Sequence, residues 1–386
     1  MATYTFSFPT PIHFGPGVRK HLPEFLKAQG FRLPLIVTDR SVVQLSFFQE
    51  IKASLTAAGF KVAVFSEISG NPIESQVIQG MHRFREHDAD SIIGIGGGAA
   101  LDVAKAVALM AAHRGNLFDY EDGRPDALPI DGPIPFWMAI PTTAGTGSEI
   151  GRSTVISDEK THIKRIVFSP KLLAKAVFAD PELTVTLPAL VTAATGMDAL
   201  THCVESYLAK GYHPMCDGIA LEGLKLAATH LEKCVHEPQN LQARTGMLMS
   251  SIMGGIAFQK GLGLTHSCAH ALSTIADLHH GLANGLMINH ALKFNVSAVP
   301  ERFQAMAVAI GLKNATGAGF ISWLEKLKTS LGMPNHLSKS DLKLSIPLDS
   351  AFIDRVSTLA FEDSCHQNNP RNCSREDFKQ IFSEAL

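Results

Sequence analysis

The chain has 386 residues, 46% of them apolar and 18% charged, with a formal net charge of -2 and a sequence pI of about 6.8. That balance excludes the basic footprint of a nucleic-acid or acidic-membrane partner, and the length suits two or three compact domains rather than a disordered chain. No window holds the roughly 18 unbroken apolar residues of a membrane span, and the opening stretch MATYTFSFPTPIHFGPG lacks the basic segment and apolar run of a signal peptide.

In chain order, the first half alternates short β-branched runs with helical stretches. LPLIVTD (33–39) reads as a strand, followed by a helix and a second strand, KVAVFSE (61–67). After the helical SQVIQGMHRFREHDAD comes SIIGIGGG (91–98), then another helix and the strand PFWMAIPTT (135–143). Strands separated by helices of this length predict a parallel sheet covered on both faces, with ligands expected where strands end and helices begin. STVISDEKTHIKRIVFS (153–169) reads as a hairpin hanging off that sheet.

Two turns at strand ends have the composition of a phosphate site. In SIIGIGGGAALDVAKAVAL, Gly96, Gly97 and Gly98 let the backbone come close to a ligand, and the next helix aims its free N–H groups there. A tight strand-to-helix turn with no ligand has the same sequence, because this is not the spaced G-x-G-x-x-G fingerprint. AIPTTAGTGSE (139–149) adds Thr142, Thr143, Thr146 and Ser148 as hydrogen-bonding groups. Asp39 closes the strand LPLIVTD. A carboxylate there suits a ribose and repels a 2′-phosphate, while Asp is equally suited to capping the next helix.

After ADPELTVTLP (179–188) the pattern changes to helix. PALVTAATGMDALTHCVESYLAK carries Leu190, Ala193, Met197, Leu200, Val204 and Leu208 at spacings of three and four, with Pro188 near its start. DGIALEGLKLAATHLEKCV, ARTGMLMSSIMGGIAF, GFISWLEKLKTSLG and REDFKQIFSEAL read the same way. The expected architecture is an α/β domain over 1–185 followed by an all-helical domain over 186–386. The six cysteines at 203, 216, 234, 268, 365 and 373 form no CxxC pair and read as reduced cytoplasmic thiols.

Asp198 and His202 stand four apart in the first of those helices, which places them on one face. Further on, GLGLTHSCAHALSTIADLHHGLANG (261–285) holds His266 and His270 at the same spacing, then His279 and His280 beyond the expected helix end and before the turn formers GLANG. One aspartate and three imidazoles make a ligand set for a divalent first-row metal, Fe(II) or Zn(II). The Asp198–His202 pair also lies off the main apolar stripe, as a solvated polar face would.

The ordered series IVTD, GNP (70–72), GGGAALDVAK, IPTTAGTGSE, ADPELTVTLP, GMDALTHCVE, THSCAHAL, HHGLANG and DSCHQNNPRNCSREDFKQIF resembles the iron-containing, or group III, alcohol dehydrogenases over their whole length. The nearest branch in pattern is that of lactaldehyde reductase and 1,3-propanediol dehydrogenase. The resemblance implies a Rossmann-like parallel-sheet domain followed by a helical metal domain, the dehydroquinate synthase-like architecture. It implies metal binding by Asp198, His202, His266 and His280, usually of Fe(II), with His270 beside the metal. It carries NAD contacts onto Asp39, Asn71, Gly97, Gly98, Asp102, Thr142, Thr143, Thr146, Lys164 and Leu183. Ala99 stands where the family usually has Ser, removing one hydroxyl donor to the phosphate.

The expected reaction is hydride transfer between NAD(H) and a small primary alcohol or diol, the metal polarising the substrate oxygen and His270 relaying the proton. The expected assembly is a homodimer or larger homo-oligomer. Three other readings exist. A glycerol dehydrogenase or dehydroquinate-synthase-like lyase would share the fold, and the lyase would want a basic pocket. A metal-dependent hydrolase would turn over without NAD. A scaffold protein would have lost its metal ligands. The Leu, Ala, Met, Phe and Gly around the metal motifs favour a small, fairly apolar alcohol.

Overall fold

The computed structural model describes Phe6, Phe8 and residues 10–161, 163–338 and 346–386. The chain divides into two compact units, one of Ser7–Thr143 with Gly147–Thr184, the other including Ala144–Thr146 and Val185–Leu386.

The first unit contains β1 (Ile12–Phe14), α1 (Leu22–Ala28), β2 (Pro34–Asp39), α2 (Ser46–Ala57), β3 (Ala63–Ile68), α3 (Glu74–Glu86), β4 (Ser91–Gly96), α4 (Gly98–Ala112), β5 (Phe136–Pro141), β6 (Ser153–Ser157), β7 (Lys164–Phe168) and β8 (Val177–Ala179). Six of these strands form one sheet in the order β1-β8-β5-β4-β2-β3, and every paired neighbour is parallel. The parallel α/β class expected from the alternation is therefore present. Leu35, Ile36 and Val37 of β2 and Ile92, Ile93 and Ile95 of β4 are wholly buried. Such unbroken apolar runs belong to strands covered on both faces, where each large aliphatic side chain contributes about 1.5–3 kcal/mol on burial. β6 and β7 form the expected antiparallel hairpin, with Ser153 opposite Phe168; His162 of its turn lies outside the described residues. The short strands β1 and β8 carried no alternation long enough to be read in advance.

The chain runs from β2 outward to β3, then crosses back to β4 on the other side of β2. That reversal opens a crevice at the strand C-terminal ends, the usual ligand position in open α/β sheets.

The second unit holds α5 (Ala189–Leu208), α6 (Pro214–His236), α7 (Leu241–Ala257), α8 (Leu264–Ala276), α9 (His280–Asn295), α10 (Pro300–Ala309), α11 (Gly317–Ser330), α12 (Ser350–Glu362) and α13 (Arg375–Ala385). α5 packs against α6, α7 and α9 and is buried along nearly its whole length. The polar-face reading of Asp198 and His202 is thereby overturned: they are 2% and 4% exposed. With helices around it, α5 has no solvated side for a polar stripe to face.

The GLANG segment is also a correction. It is not a turn but the N-terminal part of α9. A Cβ on Gly281 would lie 2.2 Å from the carbonyl oxygen of Ala194 on α5. Glycine here serves close helix packing.

Candidate metal centre and cofactor turns

Asp198, His202 and Glu205 fall at i, i+4 and i+7 on α5, so one helix face carries all three. The next helix but two, α8, brings His266 and His270; His280 is the first residue of α9. Asp198 Oδ1 lies 3.9 Å from His202 Nε2, 3.8 Å from His266 Nε2 and 3.4 Å from His280 Nε2. Atoms held at about 2.0–2.2 Å by one tetrahedral ion stand roughly 3.3–3.6 Å apart, so these separations suit a shared metal. Asp198, His202 and His266 also form a buried group with all three ligand atoms within 4.8 Å of one another.

The far sides of two rings decide which nitrogen faces inward. His202 Nδ1 lies 3.2 Å from the Gly145 carbonyl, which can only accept, so Nδ1 carries the proton. His266 Nδ1 likewise donates to Glu205 at 2.7 Å. Both Nε2 lone pairs are therefore left toward Asp198, the tautomer a metal requires. Burial pulls the His202 pKa down to about 4, so the ring is neutral and available as a donor. Burial alone would do the same to His266, but the hydrogen bond and charge of Glu205 outweigh it and the pKa is raised.

Asn284, one turn beyond His280, donates to Asp198 Oδ1 at 2.7 Å, and its Nδ2 lies within 3.3 Å of His266 Nε2 and 3.2 Å of His280 Nε2. Its Oδ1 is buried with no hydrogen-bond partner among the described residues. A crowded donor set around one carboxylate, with an orphaned polar atom beside it, fits a divalent cation. His279 matches none of this and is exposed.

His270 stands beside the cluster. Its ring stacks on His280 at 5.2 Å, and its Nδ1 lies 2.8 Å from Asp363 Oδ2. His270, Asp363 and Cys365 form a second close group. Burial pushes the Cys365 thiol well above its ordinary range.

In the sheet unit, the expected cofactor residues gather at strand C-terminal ends. Asp39 ends β2, Asn71 follows β3, Gly97 and Gly98 follow β4, and Thr142 and Thr143 follow β5. Leu183 follows β8 and is buried in the core beneath the sheet. Gly96 has φ +150°, and a Cβ there would lie 2.7 Å from Ala100 Cβ and 3.3 Å from Asp39 Oδ2. The glycine turn thus passes directly beside Asp39, at the β2/β4 crevice. Thr142 N–H donates to the Gly96 carbonyl at 3.0 Å, which ties the two turns together. α4 begins with no side-chain cap, leaving its first N–H groups for an anion. These features fit a dinucleotide.

Two residues carry structural duties as well. Asp39 Oδ1 accepts from the Ser41 and Val42 N–H groups at 2.9 and 2.8 Å, which closes a local turn after β2; it does not cap the next helix, since α2 starts after Leu45 with no side-chain cap. Asp102 accepts from Lys105 Nζ and Ser148 Oγ on Oδ1 and from Val155 N–H on Oδ2, fastening α4 to the hairpin. Lys164 opens β7, half-buried, and Thr146 clusters with the helical unit.

Residues 9–181 match the model for iron-containing alcohol dehydrogenases, and residues 192–386 match the C-terminal model of the same family. This chain belongs to the iron-containing alcohol dehydrogenase family. It is 35% identical to 4-hydroxybutyrate dehydrogenase of Cupriavidus necator, over 98% of each chain. It is also 35% identical to the NAD-dependent methanol dehydrogenase of Bacillus methanolicus, over 99% of each. The solved structure of a 1,3-propanediol oxidoreductase superposes with a TM-score of 0.93 at 32% identity, covering 100% of both chains. The architecture and the branch expected from the motifs are those of these relatives. The enzyme is an NAD-dependent alcohol dehydrogenase, and neither the lyase nor the hydrolase reading is better supported.

Three residues of this alcohol dehydrogenase's site escaped the sequence reading: Glu205, Asn284 and Asp363. Two of them carry a signal in their spacing. Glu205 lies three residues past His202, and Asn284 lies four past His280, both on the ligand faces of their helices. Asp363 sits in the quoted C-terminal motif, but nothing in its spacing ties it to a histidine ninety-three residues earlier.

Proposed function

We propose that Asp198, His202, His266 and His280 hold the metal, Fe(II) with Zn(II) as the other ion these donors accept, and that His270 relays the substrate proton. The observation carrying this reading is one Asp198 oxygen 3.4–3.9 Å from three imidazole nitrogens, two of them pinned from behind. When bound, the metal supplies Lewis-acid polarisation of a carbonyl or alcohol oxygen, worth on the order of several kcal/mol. The nicotinamide supplies the hydride chemistry.

The chain's own residues do the rest. The Gly97–Gly98 turn and the start of α4 receive the pyrophosphate, and Asp39 accepts from the adenosine ribose, which favours NAD over NADP. Asn71, Asp102, Thr142, Thr143, Thr146, Lys164 and Leu183 complete the cofactor contacts. Ala99 offers no hydroxyl to the phosphate. Oxidation of a primary alcohol yields aldehyde, NADH and one proton; His270, partly exposed at 25%, takes that proton and passes it to solvent.

The relatives' names point to a small primary alcohol, diol or ω-hydroxy acid as substrate. Among the described residues no disulfide joins any of the six cysteines, in keeping with the proposed reducing, cytoplasmic setting, and no described helix is long and apolar enough to cross a membrane. A homodimer or larger homo-oligomer is the proposed assembly.

The test is metal analysis of anaerobically purified protein, together with absorbance at 340 nm over a panel of short alcohols and diols with NAD. Chelation abolishes the signal, and Fe(II) restores it. Full activity in demonstrably metal-free protein would refute the metal assignment.

A further inference from the structure

Asp363 follows directly after α12, which packs against α8. Ser267 and His270, at i and i+3 on α8, both turn toward it. The carboxylate's two oxygens are used differently. Oδ1 accepts from Ser267 Oγ at 2.7 Å and from the Cys365 N–H at 2.9 Å. Oδ2 faces His270 Nδ1 at 2.8 Å. Ser267 is itself held, since its Oγ accepts from the His366 N–H at 3.0 Å, and His366 Nδ1 donates back to the Asp363 carbonyl at 2.6 Å. The turn from Asp363 to His366 is therefore closed on itself and on α8. None of these contacts uses a ligand atom of Asp198, His202, His266 or His280.

We propose that Asp363 is the positioning residue of His270, fixing its imidazole as the Nδ1–H tautomer and aiming Nε2 at the reacting substrate. A carboxylate only accepts, so the nitrogen facing it must carry hydrogen. The opposite nitrogen then keeps a lone pair, the form that takes a proton from an alcohol. The orientation is doubly constrained, by the Asp363 bond on one side and by stacking on His280 at 5.2 Å on the other. This inference rests on the relay reading of His270 and adds the group that makes the relay competent.

The discriminating variant is Asp363→Asn. The two donors on Oδ1 select the amide oxygen for that position, so the amide NH2 must face His270. It donates to Nδ1 and moves the ring hydrogen to Nε2, the wrong end. The expected result is a kcat lower by about 100-fold or more, within the range that a positioned acid–base group contributes. KM for the alcohol, NAD binding and metal content stay within about twofold of wild type. Asp363→Glu, which keeps an acceptor carboxylate, recovers at least about tenfold of the lost kcat. His270→Ala loses rate to a similar or greater extent, and adding Asp363→Asn to it costs nothing more.

A wild-type kcat in Asp363→Asn, or a kcat loss that merely tracks metal loss, overturns the proposal. If His270→Ala loses rate and Asp363→Asn does not, the relay stands and only the role of Asp363 falls. If His270→Ala keeps full rate, the relay reading falls and takes this inference with it. Should Asp363→Asn fail to fold, Asp363→Glu and Ser267→Ala carry the same kcat-against-KM comparison, and a KM effect without a kcat effect in both counts against it.

Discussion

Glu205→Gln tests whether the proposed metal cluster depends on a carboxylate outside the ligand set. Glu205 is 3% exposed and gathers four N–H groups. Its Oε2 accepts from Gly263 N at 3.0 Å, His266 N at 3.2 Å and His266 Nδ1 at 2.7 Å, while Oε1 accepts from Thr265 N at 2.5 Å. α8 has no side-chain cap of its own, since Gly263 occupies that position, so Glu205 caps it from α5. Burial would raise the Glu205 pKa, but the His266 bond and charge and the Thr265 donors hold it low, so the group is an anion. Glutamine keeps one oxygen. Placed where three donors converge, it leaves an NH2 against the Thr265 N–H, and that buried donor loses its partner at a cost of about 1–3 kcal/mol. The bond to His266 Nδ1 also loses its charge assistance, which weakens Nε2 as a ligand. Outer partners of this kind are worth roughly 10–100-fold in metal affinity. Competition against a chelator gives that affinity, and a melting curve gives the stability loss. Wild-type metal affinity in a folded Glu205→Gln protein would refute the reasoning.

Burial raises the Glu149 pKa from 4.5 to about 7, with a backbone hydrogen bond and then Lys105 only partly offsetting it, and Glu149 Oε1 is buried with no hydrogen-bond partner among the described residues. Between pH 4.5 and about 7 the unfolded chain gives up a proton that the folded chain keeps, so stability falls through that window and levels off above it. The full effect is on the order of 3 kcal/mol; Glu149→Gln removes it, so the variant melts above wild type at pH 8, and the gap closes by pH 4.5. A gap independent of pH would show that ionisation of Glu149 is not the cause. Gly281→Ala drives a methyl to 2.2 Å from a backbone oxygen of α5, pushes α9 and His280 away from Asp198, and lowers both melting temperature and metal content. Overpacking of this kind costs about 1–3 kcal/mol, and retention of full metal content at wild-type stability would contradict the packing account. Asp39→Gly removes the carboxylate beside the glycine turn and raises NADP use relative to NAD in steady-state kinetics; an unchanged ratio would leave Asp39 with only its turn bonds to Ser41 and Val42.

Much of this enzyme was legible in its sequence because helix and strand periods are local properties. Short apolar runs ending in LIVTD, SIIGIGGG and PFWMAIPTT specified the parallel sheet and put Asp39, the glycine turn and Thr142–Thr143 at strand ends. The i,i+4 spacings of Asp198 with His202 and His266 with His270 placed each pair on one helix face. Spacing along a helix, however, says nothing about what lies opposite that face. Only the packing of α6, α7 and α9 around α5 decided that Asp198 and His202 are buried rather than solvated. Only close approach of α9 to α5 turned GLANG from a turn into helix, since Gly281 sits against Ala194. The contacts that fix the ring tautomers, Glu205 on His266 and Asp363 on His270, bridge 61 and 93 residues of chain. A carboxylate's charge is written in the sequence, but the imidazole it orients is chosen by which helices meet, and that meeting is settled by burial of apolar surface across the whole bundle.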